Sequence, residues 1–157
     1  MVNTMRVKIG KYPTWRWFNN WWYEKTGMAP EQYVDVQIDP WDTWNMDTTL
    51  AHIVVPMLKQ LKKTKHGYPS DLPNEAAWDD ILDKMIFSFN SKLIDWEEQF
   101  QSGEHDVEWV DNGDGTTTME RGPNDTFKID VEGMKAYQER IDEGFALFGK
   151  YYENLWD

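Results

Sequence analysis

Four lysines close together on a predicted helix are the strongest candidates for binding chemistry. The stretch "KQLKKTKHG" places four of the chain's sixteen basic residues within seven positions: Lys59, Lys62, Lys63 and Lys65. Cations at this end of a helix either stabilise its C-terminus through the macrodipole or form an anion site. On a helical wheel, His52, Lys59 and Lys63 fall within about 40° of one another. If the anion site exists, we expect it to be formed by His52, Lys59, Lys63, Lys65 and His66.

Two tryptophans lie just upstream of this helix, in the stretch "DPWDTWNMD", which is typical of a turn. Trp41 and Trp44 do not fill a helix seam there, so their rings can act as plates on which a nucleobase stacks. Rings that stack a base, together with lysines that neutralise phosphate, suit a small nucleotide better than a long polyanion. We therefore predict a nucleotide site that combines Trp41 or Trp44 with the cations above.

Other patterns that could do chemistry fail on their spacing. "DNGDG" resembles a calcium loop, but with either of its glycines at position 6, Val110 falls on position 1 or 3, where a ligand is needed. A β-turn is the better interpretation. His52, His66 and His105 lack a metal-binding spacing such as H-E-x-x-H, and no nucleophile-elbow sequence supports a catalytic triad.

Three aspartates on one predicted helix could suggest a divalent-metal site. Asp79, Asp80 and Asp83 resemble one of the two acidic helix motifs of all-helical nucleotide pyrophosphohydrolases, but the second motif is missing. We interpret them as a solvated acidic face. The sequence therefore predicts no catalytic residue, no metal and no cofactor.

Length and charge limit the class of protein. The 157 residues correspond to a single domain, 1–157. The formal net charge of −12 argues against direct binding of nucleic acid or of an anionic membrane, which needs a basic face. There are no cysteines, which is compatible with a reducing compartment. No apolar stretch is long enough for a membrane span or a signal peptide, so we expect a cytoplasmic protein.

The hydrophobic periodicity predicts an α+β fold with four helices and a small set of short strands. "MRVKIG" and "YVDVQID" alternate like half-buried strands, with Val34, Val36 and Ile38 on the inner side of the second. One helix covers the aromatic stretch between them. The other three helices are expected near 46–65, with Asp47 as N-cap, near 75–100 and near 131–155. Turn clusters at about 106–130 predict a β-hairpin or a three-stranded meander.

The first helix carries more aromatic surface than one core contact needs. Its large rings cover an arc of roughly 160°, whereas a stripe of about 100° is usual: Trp15, Trp17, Phe18, Trp21 and Trp22. We expect Trp15, Phe18 and Trp22 to face the protein's own core. Trp17 or Trp21 is then left for a subunit or ligand interface, with Phe87 as a second candidate. Such an interface predicts a homo-oligomer.

Three further stretches resemble a widespread family of small proteins of tailed bacteriophages. They are "DTWNMDTTLAHIVVPMLKQLKKTKHGYP", "WDDILDKMIFSF" and "RIDEGFALFGKYYENLWD", and the resemblance extends from about residue 30 to the C-terminus. Relatives often carry a longer polar insert where this chain has "SDLPNEAA". The resemblance implies a phage protein that acts in the cytoplasm of the infected bacterium, and it implies no particular chemistry.

Three classes of function remain open for a small phage protein of this composition. The first is a counter-defence protein that binds and sequesters a nucleotide signal of host defence. The second is an acidic protein that mimics nucleic acid and inhibits a host protein, which the charge of −12 favours. The third is an enzyme that processes nucleotides at an unrecognised site.

Overall fold

The chain folds as two compact units, Met1–Met46 and Asp47–Asp157. The computed structural model describes residues 7–9, 16–28, 34–36 and 38–156, and it describes side chains for 21–28, 36 and 38–156. Within these ranges the architecture is α+β, as predicted, with four α-helices and three two-stranded antiparallel sheets. No helix in the described ranges is long and apolar enough to cross a membrane.

The first unit contains a small sheet, one helix and a capped turn. Strand β1 (Val7–Ile9) pairs antiparallel with β2 (Val34–Val36), and helix α1 (Arg16–Thr26) lies between them in sequence. A 3-10 turn at Pro40–Thr43 begins at Asp39, whose carboxylate accepts the backbone N–H of Trp41. Val36 and Ile38 are exposed, so the prediction that they point inward is wrong, and the side chain of Val34 lies outside the described residues.

Three long helices build the second unit. Helix α2 (Met46–Thr64) runs through Pro56 and begins one residue before the expected cap, so Asp47 lies in its first turn. Helix α3 (Glu75–Ser91) is capped by Asn74, and α4 (Val131–Lys150) is capped by Asp130. The buried residues that form the core lie on these helices and just after α4: Ala51, Val55, Leu58, Trp78, Leu82, Met85, Phe89 and Tyr151.

Helix α3 ends nine residues earlier than the periodicity predicts. After Ser91 the chain leaves the helix and forms a 3-10 turn at Glu98–Phe100. Trp96 still packs inward because its ring stacks on Tyr137 of α4, with centroids 4.7 Å apart and planes inclined by 14°. A non-helical segment therefore continues the apolar surface that the sequence attributes to the helix.

The segment before α4 contains the predicted hairpin. Strands β4 (Val107–Asp111) and β5 (Thr117–Arg121) are antiparallel partners around the "DNGDG" turn, as expected. The third strand of a meander is absent from this sheet, since β6 (Lys128–Ile129) pairs with β3 (Gln101–Ser102) instead. In the turn, the hydroxyl of Thr116 donates to Asp114 and lowers the pKa of its carboxyl group.

Candidate functional site

A cavity in the second unit combines aromatic rings with a few polar groups. It has a volume of about 470 Å³ and lies among the segment after α2, the start of α3 and the C-terminal residues. We call it the Trp156 pocket. The residues that line it are His66, Gly67, Tyr68, Pro69, Ser70, Trp78, Asn154 and Trp156.

The buried side of the Trp156 pocket is fixed by a ring pair and a hydrogen-bond chain. Trp78 meets Tyr151 edge to face, with ring centroids 5.4 Å apart, and both residues are buried. The Tyr151 hydroxyl donates to Asp71 at 3.0 Å and accepts from the Lys150 ammonium at 2.9 Å. The bond to the Tyr151 oxygen raises the pKa of Lys150. Because these contacts fix Tyr151 and Tyr151 packs against Trp78, the Trp78 ring forms a rigid wall of the pocket.

Lys65 holds the segment that follows α2 against α3. Its ammonium nitrogen lies 2.9 Å from Glu75 Oε1 and 2.9 Å from Asp79 Oδ1, and only 5% of its side chain is exposed. The Glu75 carboxylate, and after it the Asp79 carboxylate, raises the pKa of Lys65 above its ordinary value. Lys65 was expected to contact phosphate, but its ammonium group is already occupied by two carboxylates of its own chain.

The other predicted cations differ in whether a carboxylate of the same chain binds them. Lys62 pairs with Asp83, its Nζ lying 2.6 Å from the carboxylate. His52, Lys59 and Lys63 lie on one exposed face of α2, as the helical wheel predicts. Among the described residues neither Lys59 nor Lys63 has an ion-pair partner. The four-lysine cluster therefore presents only two lysines that can meet a ligand.

The predicted stacking plates are exposed, but they lie in the first unit. Trp41 and Trp44 are 72% and 77% exposed, and their rings stack on each other with centroids 5.7 Å apart. Each ring therefore has one outer face free for a second stacking partner. His66, in contrast, lies in the second unit and lines the Trp156 pocket together with Tyr68, Trp78 and Trp156.

The acidic face of α3 is solvated, as expected, and each of its aspartates also pairs with a lysine. Asp79 is bound to Lys65, and Asp80 lies 3.3 Å from Lys84. Asp83 takes the Lys62 ammonium. No group of three or more metal-ligating side chains occurs in the described part of the chain. These aspartates are partners of lysines, and Asp79 in particular positions the segment after α2.

The residues predicted at an interface differ in how the structure covers them. Trp15 lies outside the described residues, as do the side chains of Trp17 and Phe18. Trp21 is 47% exposed and Trp22 is 43% exposed, so the expectation that Trp22 faces the core is wrong. The ring of Phe87 lies 5.0 Å from that of Tyr137, with the Arg140 guanidinium 4.2 Å from its centroid. Side chains of α4 thus cover it in part.

Of the residues that line the Trp156 pocket, only His66 is a site residue that the sequence predicts. Tyr68 belongs to "HGYP", whereas Asn154 and Trp156 belong to "ENLWD". The sequence feature that could have indicated this pocket is Trp156, which lies near the C-terminus and outside the apolar stripe of the last helix. Its partners come from a segment more than eighty positions away, which periodicity does not reveal.

Comparisons of this chain with protein-family models, with curated proteins and with solved structures find no match. The chemistry of the Trp156 pocket must therefore be inferred from its own residues.

Proposed function

We propose that this protein binds and sequesters a small nucleotide in the Trp156 pocket. The supporting observation is the pocket itself, because ligand sites typically measure about 300–1,000 Å³ and combine aromatic walls with a few polar groups. The resemblance to proteins of tailed bacteriophages suggests the setting, which is the cytoplasm of an infected bacterium. The ligand would then be a nucleotide signal of host defence, and its capture would be a counter-defence.

The residue types on the pocket wall suit a nucleobase. Trp156 and Tyr68 are 73% and 48% exposed, so their faces are accessible to a flat heterocycle. Stacking on an aromatic side chain contributes about 1–3 kcal/mol per base. His66, Ser70 and Asn154 supply donors and acceptors for the edge of the base or for a ribose.

The charges around the pocket favour a nucleotide with few phosphates. Lys65 and Lys150 are engaged by carboxylates and a phenol of the same unit, and the described residues that line the pocket include no lysine or arginine. The proposed phosphate contacts are Lys59 and Lys63, on the exposed face of α2. A chain of net charge −12 repels a polyanion at long range. We therefore expect monophosphates or cyclic dinucleotides to bind more tightly than nucleoside triphosphates.

Calorimetry on the whole protein tests this proposal. The panel contains nucleosides, nucleoside mono- and triphosphates, cyclic di- and trinucleotides and ADP-ribose, and the ligand is analysed for turnover afterwards. We expect stoichiometric binding of an intact ligand. The variant Trp156→Ala should weaken binding about 5- to 150-fold, which is the value of one stacked base.

Trp109→Ala is the matched control, because Trp109 is about as exposed as Trp156 but lies on the β4–β5 hairpin. It should leave the dissociation constant unchanged. Equal losses in both variants would contradict the assignment of the site, as would the absence of binding across the panel. Conversion of the ligand would instead favour the nucleotide-processing enzyme.

A further inference from the structure

The segment 101–129 forms an arm that is independent of the Trp156 pocket. Its base is the pairing of β3 with β6, and its end is the β4–β5 hairpin. Between them, the amide of Thr126 donates to the carbonyl of Glu104 at 3.1 Å. The amide of Gly122 likewise donates to the carbonyl of Asp106 at 2.8 Å. These bonds continue the two-stranded ribbon from the base to the hairpin.

The hairpin carries large apolar side chains that the described part of the chain does not cover. All ten residues of β4 and β5 are exposed, and within the described strands the two pair only with each other. Trp109 lies directly opposite Met119, so both side chains project from the same face. They are 68% and 62% exposed. Tryptophan is frequent at binding hot spots and methionine adapts to irregular surfaces, so this face is suited to contact a partner.

The opposite face carries two carboxylates that face each other. Glu108 is the cross-strand neighbour of Glu120, and like charges directly opposite one another destabilise a sheet. An isolated two-stranded hairpin is only marginally stable in water. Repulsion between the two carboxylates therefore destabilises the free hairpin. A cation bound between them replaces this repulsion by two attractive ionic contacts.

The charge of the arm indicates the kind of partner. Residues 101–129 include seven acidic and two basic residues, which give the arm a formal charge of −5. Two such arms repel each other, and the whole chain is acidic as well, so a second copy is disfavoured. A basic surface is attracted by the same charge.

We propose that the arm docks onto a cationic partner protein. The hairpin inserts into a cleft of that protein, where Trp109 and Met119 contact an apolar wall. Glu108 and Glu120, on the opposite face of the hairpin, together receive a lysine or arginine from the facing wall. A surface of this chemistry is typical of a protein that binds nucleic acid through basic and aromatic groups. The arm then competes with nucleic acid for the basic side chains of that protein, which phosphates would otherwise neutralise.

The test measures binding of labelled helical peptides to the whole protein by fluorescence anisotropy. Three peptides serve as probes: one of leucine and lysine, one of serine and lysine with the same charge, and one of leucine and glutamate with the same apolar content. We expect only the leucine–lysine peptide to bind. Trp109→Ser should weaken this binding at least about tenfold, the value of a 1.4 kcal/mol contact.

Two charge-reversal pairs separate the arm from the net charge. The double variant Glu108→Lys with Glu120→Lys keeps like charges opposite each other, so repulsion across the hairpin is the same as in the wild type. This variant should weaken binding of the leucine–lysine peptide at least about tenfold. Asp95→Lys with Glu139→Lys changes the net charge equally at exposed positions outside the arm. It should weaken binding far less.

Several results would overturn the proposal. They are equal losses in the two charge-reversal pairs, binding of the serine–lysine peptide as tight as that of the leucine–lysine peptide, an unchanged affinity in Trp109→Ser, or no binding at all. Thermal unfolding of each variant, followed by circular dichroism, checks that the helices are intact. Nucleotide binding in the Trp156 pocket should persist in all arm variants, so failure of one proposal leaves the other in place.

Discussion

Lys65 is the residue whose predicted and observed roles differ most, and its structural role can be measured. Its removal leaves Asp79 Oδ1 buried without its ionic partner. Lys65→Met should therefore lower the free energy of unfolding by about 1–3 kcal/mol. Lys63→Met is the matched control, since Lys63 is exposed, and it should change stability by less than about 0.5 kcal/mol. Urea unfolding followed by circular dichroism measures both values, and similar values would contradict the structural role.

The same lysine predicts a dependence on pH. Its pKa is raised above the ordinary value of 10.5 in the folded protein by Glu75 and Asp79. A raised lysine pKa stabilises the fold fully below 10.5, and this contribution is lost as the pH rises through the folded pKa. The difference in unfolding free energy between the wild type and Lys65→Met should thus stay constant from neutral pH to about 10 and shrink above 10.5. A difference that grows with alkaline pH would contradict this sign.

At the scale of the elements, the contact of α3 with α4 depends on a glycine. A Cβ at Gly144 would collide with Ser88 Oγ and with the backbone carbonyl of Lys84, so the two helices approach too closely there for any side chain. Gly144→Ala should destabilise the protein by about 1–3 kcal/mol, which exceeds the gain in helix propensity.

Gly149 provides the control for this prediction in the same helix. A Cβ there meets nothing within 4 Å, so Gly149→Ala should stabilise the protein by up to about 1 kcal/mol. Thermal unfolding of the two variants checks whether the melting temperatures move in opposite directions. If both melting temperatures rose, the close approach of α3 and α4 at Gly144 would be wrong.

The bounds of α2 and the start of α4 were predictable because capping and stop signals coincide with the periodicity, whereas α4 ends at Lys150, five residues before the predicted 155. The end of α3 was not, since the apolar spacing continues through Leu93 and Trp96. Ser91 Oγ bonds to the Phe87 carbonyl, and serine and asparagine compete with helical hydrogen bonding at this point. The continuing pattern reflects packing of a loop on Tyr137, which sequence periodicity cannot distinguish from a helix.

Viewed as a whole molecule, the candidate site was predictable only in part. His66 lies in the Trp156 pocket, while Lys65 pairs with two carboxylates that lie ten and fourteen positions further along the chain, and periodicity does not reveal partners at that distance. Trp156 reaches the pocket from the far end of the second unit. A site formed by distant segments can be predicted only when the tertiary fold is known, whereas the exposed face of α2 can be predicted from the helix alone.

Association of the chain is the last property that the sequence predicts, and tryptophans of α1 should mediate it. Trp17 and Trp21 are four positions apart in the sequence, a spacing that in a helix places two residues on one face. Because the net charge of −12 opposes association, the contact must be apolar. We expect the wild type to sediment as a homo-oligomer and Trp17→Ser with Trp21→Ser to sediment as a monomer. Trp41→Ser with Trp44→Ser removes two exposed tryptophans of the same unit and should leave the oligomer intact. A monomeric wild type, or dissociation in both variants, would exclude α1 as the specific contact.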